Sequence, residues 1–146
     1  MRATDIAAVA AAIDPDAYAA GTYTSGWVSL ADFGQLAAVV QVGTLGASAT
    51  VDAKLEQAQD SSGTGAKDIT GKSITQLTKA GSDDDKQAVI NLREDELDTD
   101  NNFDHARLSV TVAVAACDAA GLVIGVNPGY GPAADKDAST VDEIVA

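Results

Sequence analysis

The sequence has few of the residues on which protein chemistry usually depends. Its 146 residues include one cysteine, one histidine and six aromatic side chains. A single cysteine, Cys117, excludes an intrachain disulfide. One cysteine and one histidine are also too few for a structural zinc site, which needs four such ligands. We therefore expect Cys117 to be a small buried apolar residue or, alternatively, a free thiol.

Basic residues are also scarce. Nine Lys and Arg stand against 22 Asp and Glu, so the formal net charge is −13. Nucleic acids and anionic membranes attract Lys and Arg, and this composition therefore predicts neither as a partner. Eight of the acids fall within residues 83–100, where Lys86 and Arg93 are the only bases. Such a segment would meet a basic patch on a partner or keep the protein soluble.

No apolar run is long enough to cross a membrane. The first, Ile6 to Ile13, has eight residues and is followed by Asp14, Pro15 and Asp16. It is too short to span a bilayer and lacks the charged region that precedes a leader sequence, so we expect a cytoplasmic product. Its alanines favour a short helix, or an arm that becomes ordered on contact with a partner.

The clearest positive signal lies between His105 and Ala116. Apolar residues occupy every second position there, while Arg107, Ser109 and Thr111 occupy the positions between. This period of two is typical of a strand with one buried and one solvated face. The segment therefore predicts a β protein.

Seven further candidate strands are separated by Gly, Ser, Asn or Asp. The eight candidates are 23–30, 36–42, 49–57, 67–70, 73–77, 87–92, 105–116 and 122–126. The fourth and fifth would be one strand with a bulge at Gly71-Lys72. Loops are predicted at 59–66 and 80–85, and one helical turn at Glu94–Asp98.

This spacing predicts an all-β fold. We expect an antiparallel, jelly-roll-like β-sandwich of about eight strands, with extended arms at both ends. The predicted units are an N-terminal arm or short helix (1–20), a sandwich domain (21–127) and an extended C-terminal tail (128–146).

No group of residues has the spacing of a catalytic, cofactor-binding or metal site. The acids at 83–85 and 94–100 lack the glycine and terminal glutamate of a calcium loop, so we favour solvated turns over a weak calcium site. His105 and Cys117 would lie at opposite ends of one strand, too far apart for a Cys–His nucleophile pair, and the nearest approach to a nucleophile elbow, at Ser48, lacks its second glycine. The glycines at 43–46 and 63–65 are interpreted as turn residues. We therefore predict that the protein is not an enzyme and binds no cofactor.

Four segments in order carry a resemblance. They are GTYTSGWVSL (21–30), FGQLAAVVQVG (33–43), ATVDAKLEQAQD (49–60) and KDITGK (67–72). Together they resemble a family of small virion proteins of tailed bacteriophages and prophages, over about residues 20 to 132. The resemblance implies a structural role in the head, as a capsid decoration or cement protein, frequently a homotrimer, with no cofactor. Its partners would be the major capsid protein and neighbouring copies of itself, on the outer surface of the virion.

Both terminal segments are the predicted contacts with those partners, because an arm can add a strand to an exposed sheet edge. The predicted contact residues are Ile6, Val9, Ile13, Tyr18, Tyr130, Val141 and Ile144. Two alternatives stay open. One is a tail or connector subunit. The other is a module that binds carbohydrate or a host surface through Trp27, Tyr23 and Tyr130, although core packing is favoured for Trp27.

Overall fold

The structure is a computed structural model that describes residues Met1–Ala146. Ten strands and one short α-helix form it, together with three single turns of 3₁₀ helix. The strands are β1 (Ala7–Tyr18), β2 (Gly21–Thr24), β3 (Val28–Ser29), β4 (Phe33–Leu45), β5 (Thr50–Ala58), β6 (Lys67–Ser73), β7 (Leu77–Thr78), β8 (Gln87–Arg93), β9 (His105–Ala113) and β10 (Cys117–Pro128). The helix α1 is Ala3–Ile6, and no helix of the chain could cross a membrane.

The strands form two antiparallel sheets. The four-stranded sheet has the order β1-β10-β4-β8, and the six-stranded sheet has the order β2-β9-β5-β6 with β3 and β7 beside it. The four main pairs are nested, because β1 pairs with β10, β2 with β9, β4 with β8 and β5 with β6. A long hairpin rolled into two sheets gives this order, which is the jelly roll. The predicted all-β jelly-roll sandwich is confirmed, and eight of its ten strands are longer than two residues.

The core lies between the two sheets. The inward residues of β9 that were predicted from its alternation, Ala106, Leu108, Val110 and Val112, are at most 2% exposed. The largest fully buried side chains also include Phe33, Leu45, Leu55 and Leu92. Two glycines of β10 face these residues, and a Cβ at Gly121 would lie 2.7 Å from Leu108 Cδ2. Large side chains on facing strands thus occupy the space that β10 leaves free.

The strand β9 is shorter than predicted, because the chain turns at Val114. This residue has φ 75°, and the Ala115 N–H donates to Ala113 O at 3.0 Å. A hydrogen bond from i+2 to i around a positive φ is a strained γ-turn, and it is unusual for a β-branched residue. Val114 is consequently 71% exposed instead of buried.

The N-terminal segment differs from the predicted arm. Residues 7–18 form β1, which pairs with β10 from Ala7 to Tyr18 except at two bulges. The sequence does not show this strand because its register shifts twice, between Val9 and Ala11 and between Ile13 and Asp16. Bulges break the period of two, and alanine fits either a helix or a small inward position. The helix expected here is limited to the four residues of α1.

The C-terminal segment is also not a free extension. The strand β10 continues to Pro128, and a 3₁₀ turn at Ala133–Lys136 buries Ala133 completely. The Val9 N–H donates to Asp137 Oδ1 at 2.7 Å, and Val9 O accepts from the Ala138 N–H at 2.7 Å. Residues 137 and 138 therefore cap part of the free edge of β1, a device that keeps edge strands from pairing with other chains. Within this segment, residues 142–146 have neither regular structure nor backbone hydrogen bonds.

The predicted loops lie where the sequence placed them. Residues 59–66 connect β5 to β6, and residues 80–85 lie between β7 and β8. The predicted helical turn is a 3₁₀ turn at Glu94–Glu96. The bulge predicted at Gly71-Lys72 falls within β6, where Gly71 has φ 78° and the register with β5 shifts.

Candidate interaction surface

The outer faces of the two sheets differ in chemistry. On the six-stranded sheet, outward side chains of neighbouring strands form ion pairs. Lys54 Nζ lies 2.7 Å from Asp68 Oδ1, and Arg107 Nε lies 3.0 Å from Glu56 Oε1. This face is solvated in the ordinary way for an antiparallel sheet.

The four-stranded sheet exposes apolar side chains instead. Register places Ala12 beside Leu122, Leu122 beside Val39 and Val39 beside Val89, so that one row crosses all four strands. Val89 is 57% exposed and Leu122 is 41% exposed. We call this row, together with Ala120, the apolar strip. None of the 22 acids lies in it.

A depression lies in the apolar strip, where β1 bulges. The chain leaves regular pairing after Ile13 and resumes it at Asp16, so that Asp14 and Pro15 stand away from β10. The resulting hollow has a volume of about 280 Å³ and is lined by both these residues and members of the strip. Such a hollow would accept one apolar side chain of a partner.

Acidic residues border the apolar strip at both ends. At one end, Asp16, Asp85 and Asp118 line a second hollow of about 510 Å³, which shares Pro15, Gln41 and Ala120 with the first. At the other end, Asp137 and Glu143 lie beside Val9 and Ile124. The face therefore has an apolar centre, with Asp14 at the edge of its hollow, and a mainly acidic rim.

The residues considered for catalysis do not meet. His105 begins β9 and Cys117 begins β10, so the two residues lie at opposite ends of the sandwich. His105 Nδ1 lies 2.6 Å from Asp104 Oδ1, a contact between neighbours in sequence. Cys117 is 1% exposed, as expected for a small buried apolar residue.

The acidic segment 83–100 connects loops. Asp84 accepts from Lys79 Nζ at 2.7 Å and from the Leu45 N–H at 3.1 Å, and these contacts join the loop before β8 to the end of β4. Asp98 accepts from Lys67 Nζ, and its N–H donates to Gln57 Oε1 at 2.8 Å. The bonds that the carboxylates accept, from Lys79 and the Leu45 N–H for Asp84 and from Lys67 and Asn101 for Asp98, hold the pKa of both groups below the ordinary value.

The acids of segment 83–100 were also considered as ligands of a weak calcium site. No group of three or more His, Cys, Asp or Glu residues in the chain is arranged to hold a metal ion. Where the acids of this segment bond to other side chains, the partners are Lys67, Lys72, Lys79, Lys86, Arg93 and Asn101.

The aromatic residues considered for carbohydrate binding have different partners. The Arg107 guanidinium lies 4.4 Å from the centre of the Trp27 ring, while Lys136 Nζ lies 4.3 Å from that of Tyr130. Tyr23 packs against Tyr18, with ring centres 4.2 Å apart. Trp27 is half-buried on the six-stranded sheet and lies outside the main core cluster. The three rings form no common platform.

The predicted contact residues divide into three groups. Ile13 is 6% exposed and belongs to the core, but it also lines the hollow beside Pro15, so its predicted contact with a partner stays a prediction. Val9, Tyr18 and Val141 are half-buried within the chain's own packing. The exposed residues are Ile6, Tyr130 and Ile144.

Sequence analysis missed the apolar strip, although the sequence carries a signal for it. The runs Leu36–Val40 and Leu122–Ile124 are apolar at every position. Continuous apolar runs are typical of strands that are buried on both faces. In this chain one face of β4 and β10 packs in the core, while the other face is exposed and carries the apolar strip.

Comparisons with known proteins give little further information. No family model matches the chain, and no curated protein matches it. Two solved chains are similar in shape, both from structures of infectious bursal disease virus. The Gx-strain chain is 14% identical with a TM-score of 0.47, and the match covers 88% of this chain and 34% of that one. The Gt-strain chain is 9% identical with a TM-score of 0.28, and the match covers 84% and 41%. This chain spans about a third of the length of the Gx-strain chain. At these identities and TM-scores, neither match supports a conclusion about the role of this chain.

Proposed function

We propose that the chain is a structural protein of a tailed-bacteriophage particle. Its specific role would be that of a decoration or cement protein, which binds the outside of the expanded head and stabilises contacts between capsomers. It would be made in the host cytoplasm and reside on the capsid surface. Its partners would be the major capsid protein and further copies of itself, as a homotrimer. We also propose that it is not an enzyme.

The nested jelly-roll pairing supports this proposal most directly. Double-sheet jelly rolls occur among viral capsid domains and among lectins, so the support is an analogy of fold. The four segments that resemble small phage virion proteins add to it, because they fall on consecutive parts of this fold from β2 to β6.

The separated aromatic rings make the lectin alternative weaker. A carbohydrate site needs a rigid aromatic face open to the sugar. The Trp27 ring is instead contacted by Arg107, and a Cβ at Gly63 would lie 2.9 Å from Trp27 Nε1. We therefore propose a protein partner.

Co-sedimentation with expanded heads that lack this protein tests the proposal. We expect saturable binding at a fixed ratio to the major shell protein, together with heads that withstand heating better. Light scattering on the free protein gives its oligomeric state in the same buffer. No binding would reject the decoration role, and rings or tubes formed by the protein alone would indicate a tail or connector subunit.

A further inference from the structure

We infer that the apolar strip is the surface through which the chain docks on the shell. We further infer that its counterpart is a protein surface with an apolar centre and a basic rim. The identity of the shell rests on the proposed function, whereas the chemistry of the counterpart follows from the strip itself.

The neighbouring part of the same face already binds a protein segment. Val9 and Ile124 lie in the next row of outward residues, paired by register. They share a hollow with Val141 and Ile144 of the chain's own C-terminal segment. This face therefore accepts apolar side chains from an extended segment, and the apolar strip is the part that the chain leaves uncovered.

The size of the apolar strip requires any occupant to contact the rim as well. Three strand spacings and about four residues along each strand give an area of roughly 200 Å². A standard interface buries about 800 Å² on each partner. The apolar strip alone would thus be too small for a stable interface, and contacts with the rim must supply the missing area.

The charge of the rim argues against a second copy. Two chains in this arrangement would bring together the acids of their rims, among them Asp85 and Asp118, and each chain carries a net charge of −13. Like charges that are brought together at an interface repel each other, and this repulsion disfavours a second copy as the partner. A surface with Lys or Arg around an apolar centre would complement both the centre and the rim.

Binding to heads by strip variants tests this inference. The double variant Leu122→Gln, Val89→Gln replaces the two most exposed apolar residues of the strip. Val39→Thr adds one hydroxyl at nearly constant shape and is the milder second variant. Val114→Gln is the matched control, because it also removes an exposed apolar side chain but lies in the turn between β9 and β10. Thermal melts of the free proteins check that each variant folds.

We expect the double variant to bind heads at least about tenfold more weakly, Val39→Thr to bind less weakly than that, and the control to bind as the unmodified protein does. Equal binding by the unmodified protein and both strip variants would overturn the inference and leave the decoration role intact. An equal loss in the control would also overturn it, because the effect would then not belong to the strip. If the unmodified protein does not bind heads, the proposed function itself fails.

The salt dependence of binding independently distinguishes a shell protein with a basic rim from a second copy of the chain. With a basic-rimmed partner, raising NaCl from about 50 to 500 mM screens the attraction and weakens binding. Asp85→Asn with Asp118→Asn should make that dependence shallower, whereas Asp52→Asn, on the exposed face of β5 in the other sheet, should not. If the strip instead joins two copies, salt would strengthen association, and light scattering would show an oligomer that Leu122→Gln dissociates. That result would overturn the inference.

Discussion

Gly125 lies directly against the ring of Phe33, so that a Cβ at this glycine would stand 2.4 Å from Phe33 Cγ. Phe33 is 1% exposed and begins β4, and Gly125 is on the neighbouring strand β10. The glycine is therefore required by the close approach of an aromatic ring, since Gly125 has no positive φ.

We expect Gly125→Ala to destabilise the fold by about 1–3 kcal/mol, the usual cost of overpacking a core. Gly26→Ala is the matched control, because no atom lies within 4 Å of a Cβ there. Urea unfolding measures both variants. Adding Phe33→Leu to Gly125→Ala should recover part of the loss through the shared space, and additive losses would contradict the contact.

The γ-turn at Val114 predicts a gain in stability. Replacing Val114 by glycine should remove strain of about 1 kcal/mol, because glycine adopts positive φ without a steric penalty. Ser48→Gly, at φ 59° but without β-branching, should gain less. The melting temperatures of the two variants decide the question. A lower melting temperature for Val114→Gly would show that the valine side chain is stabilising in its turn.

Removing the hydrogen bond from the Val9 N–H to Asp137 Oδ1 should reduce the protection of the Val9 amide against hydrogen exchange. Asp137→Ala should cost about 1 kcal/mol and speed hydrogen exchange at the Val9 amide. Asp137→Asn keeps an oxygen acceptor and should retain most of the protection. Asp135→Ala, in the same turn but without a side-chain bond to β1, is the control. Unchanged hydrogen exchange at Val9 in Asp137→Ala would contradict this role of the Asp137 hydrogen bond.

Stability should fall in acid. The hydrogen bonds that Asp84 accepts from Lys79 and Leu45 hold its pKa below the ordinary value, and the pKa values of Asp60, Asp83 and Asp98 are lowered by similar bonds. A carboxyl whose pKa is lower in the folded state stabilises the fold above its unfolded pKa, and this contribution disappears as the pH falls through the folded pKa.

Thermal melts between pH 7 and pH 2 test this dependence. The melting temperature should decline below about pH 4, and it should decline less steeply in Asp84→Asn, which has lost one of the groups that titrate. Asp142→Asn, which removes a carboxylate without a hydrogen-bond partner, should follow the unmodified protein. An equal slope in Asp84→Asn would contradict the role of Asp84.

How far the sequence predicted the fold depended on side-chain size. In β9, large apolar residues such as Leu108 alternate with Arg107 and Ser109, so both the strand and its buried face were evident. In β1 six of the twelve positions are alanine, which carries little periodic information, and two bulges shift the register. Pairing with β10 overrides the helical preference of the alanines, and only the folded chain shows that partner.

The surface was harder to predict than the fold. The apolar strip joins Ala12, Val39, Val89 and Leu122, which are far apart in sequence and adjacent only through strand register. The acids of its rim come from four separate segments for the same reason. Sequence analysis therefore placed the partner contacts in the termini, where apolar and unpatterned residues were most evident.

The position of β10 within its sheet also determines when the protein can fold. This strand lies between β1 and β4, yet it follows both of them and β8 in the sequence. During synthesis, β1 and β4 have no common neighbour until residues 117–128 have left the ribosome. Pairing between strands so distant in sequence is slow, and strand edges that stay unpaired during this time are prone to aggregation. We therefore expect closure of the four-stranded sheet to be a late step in folding.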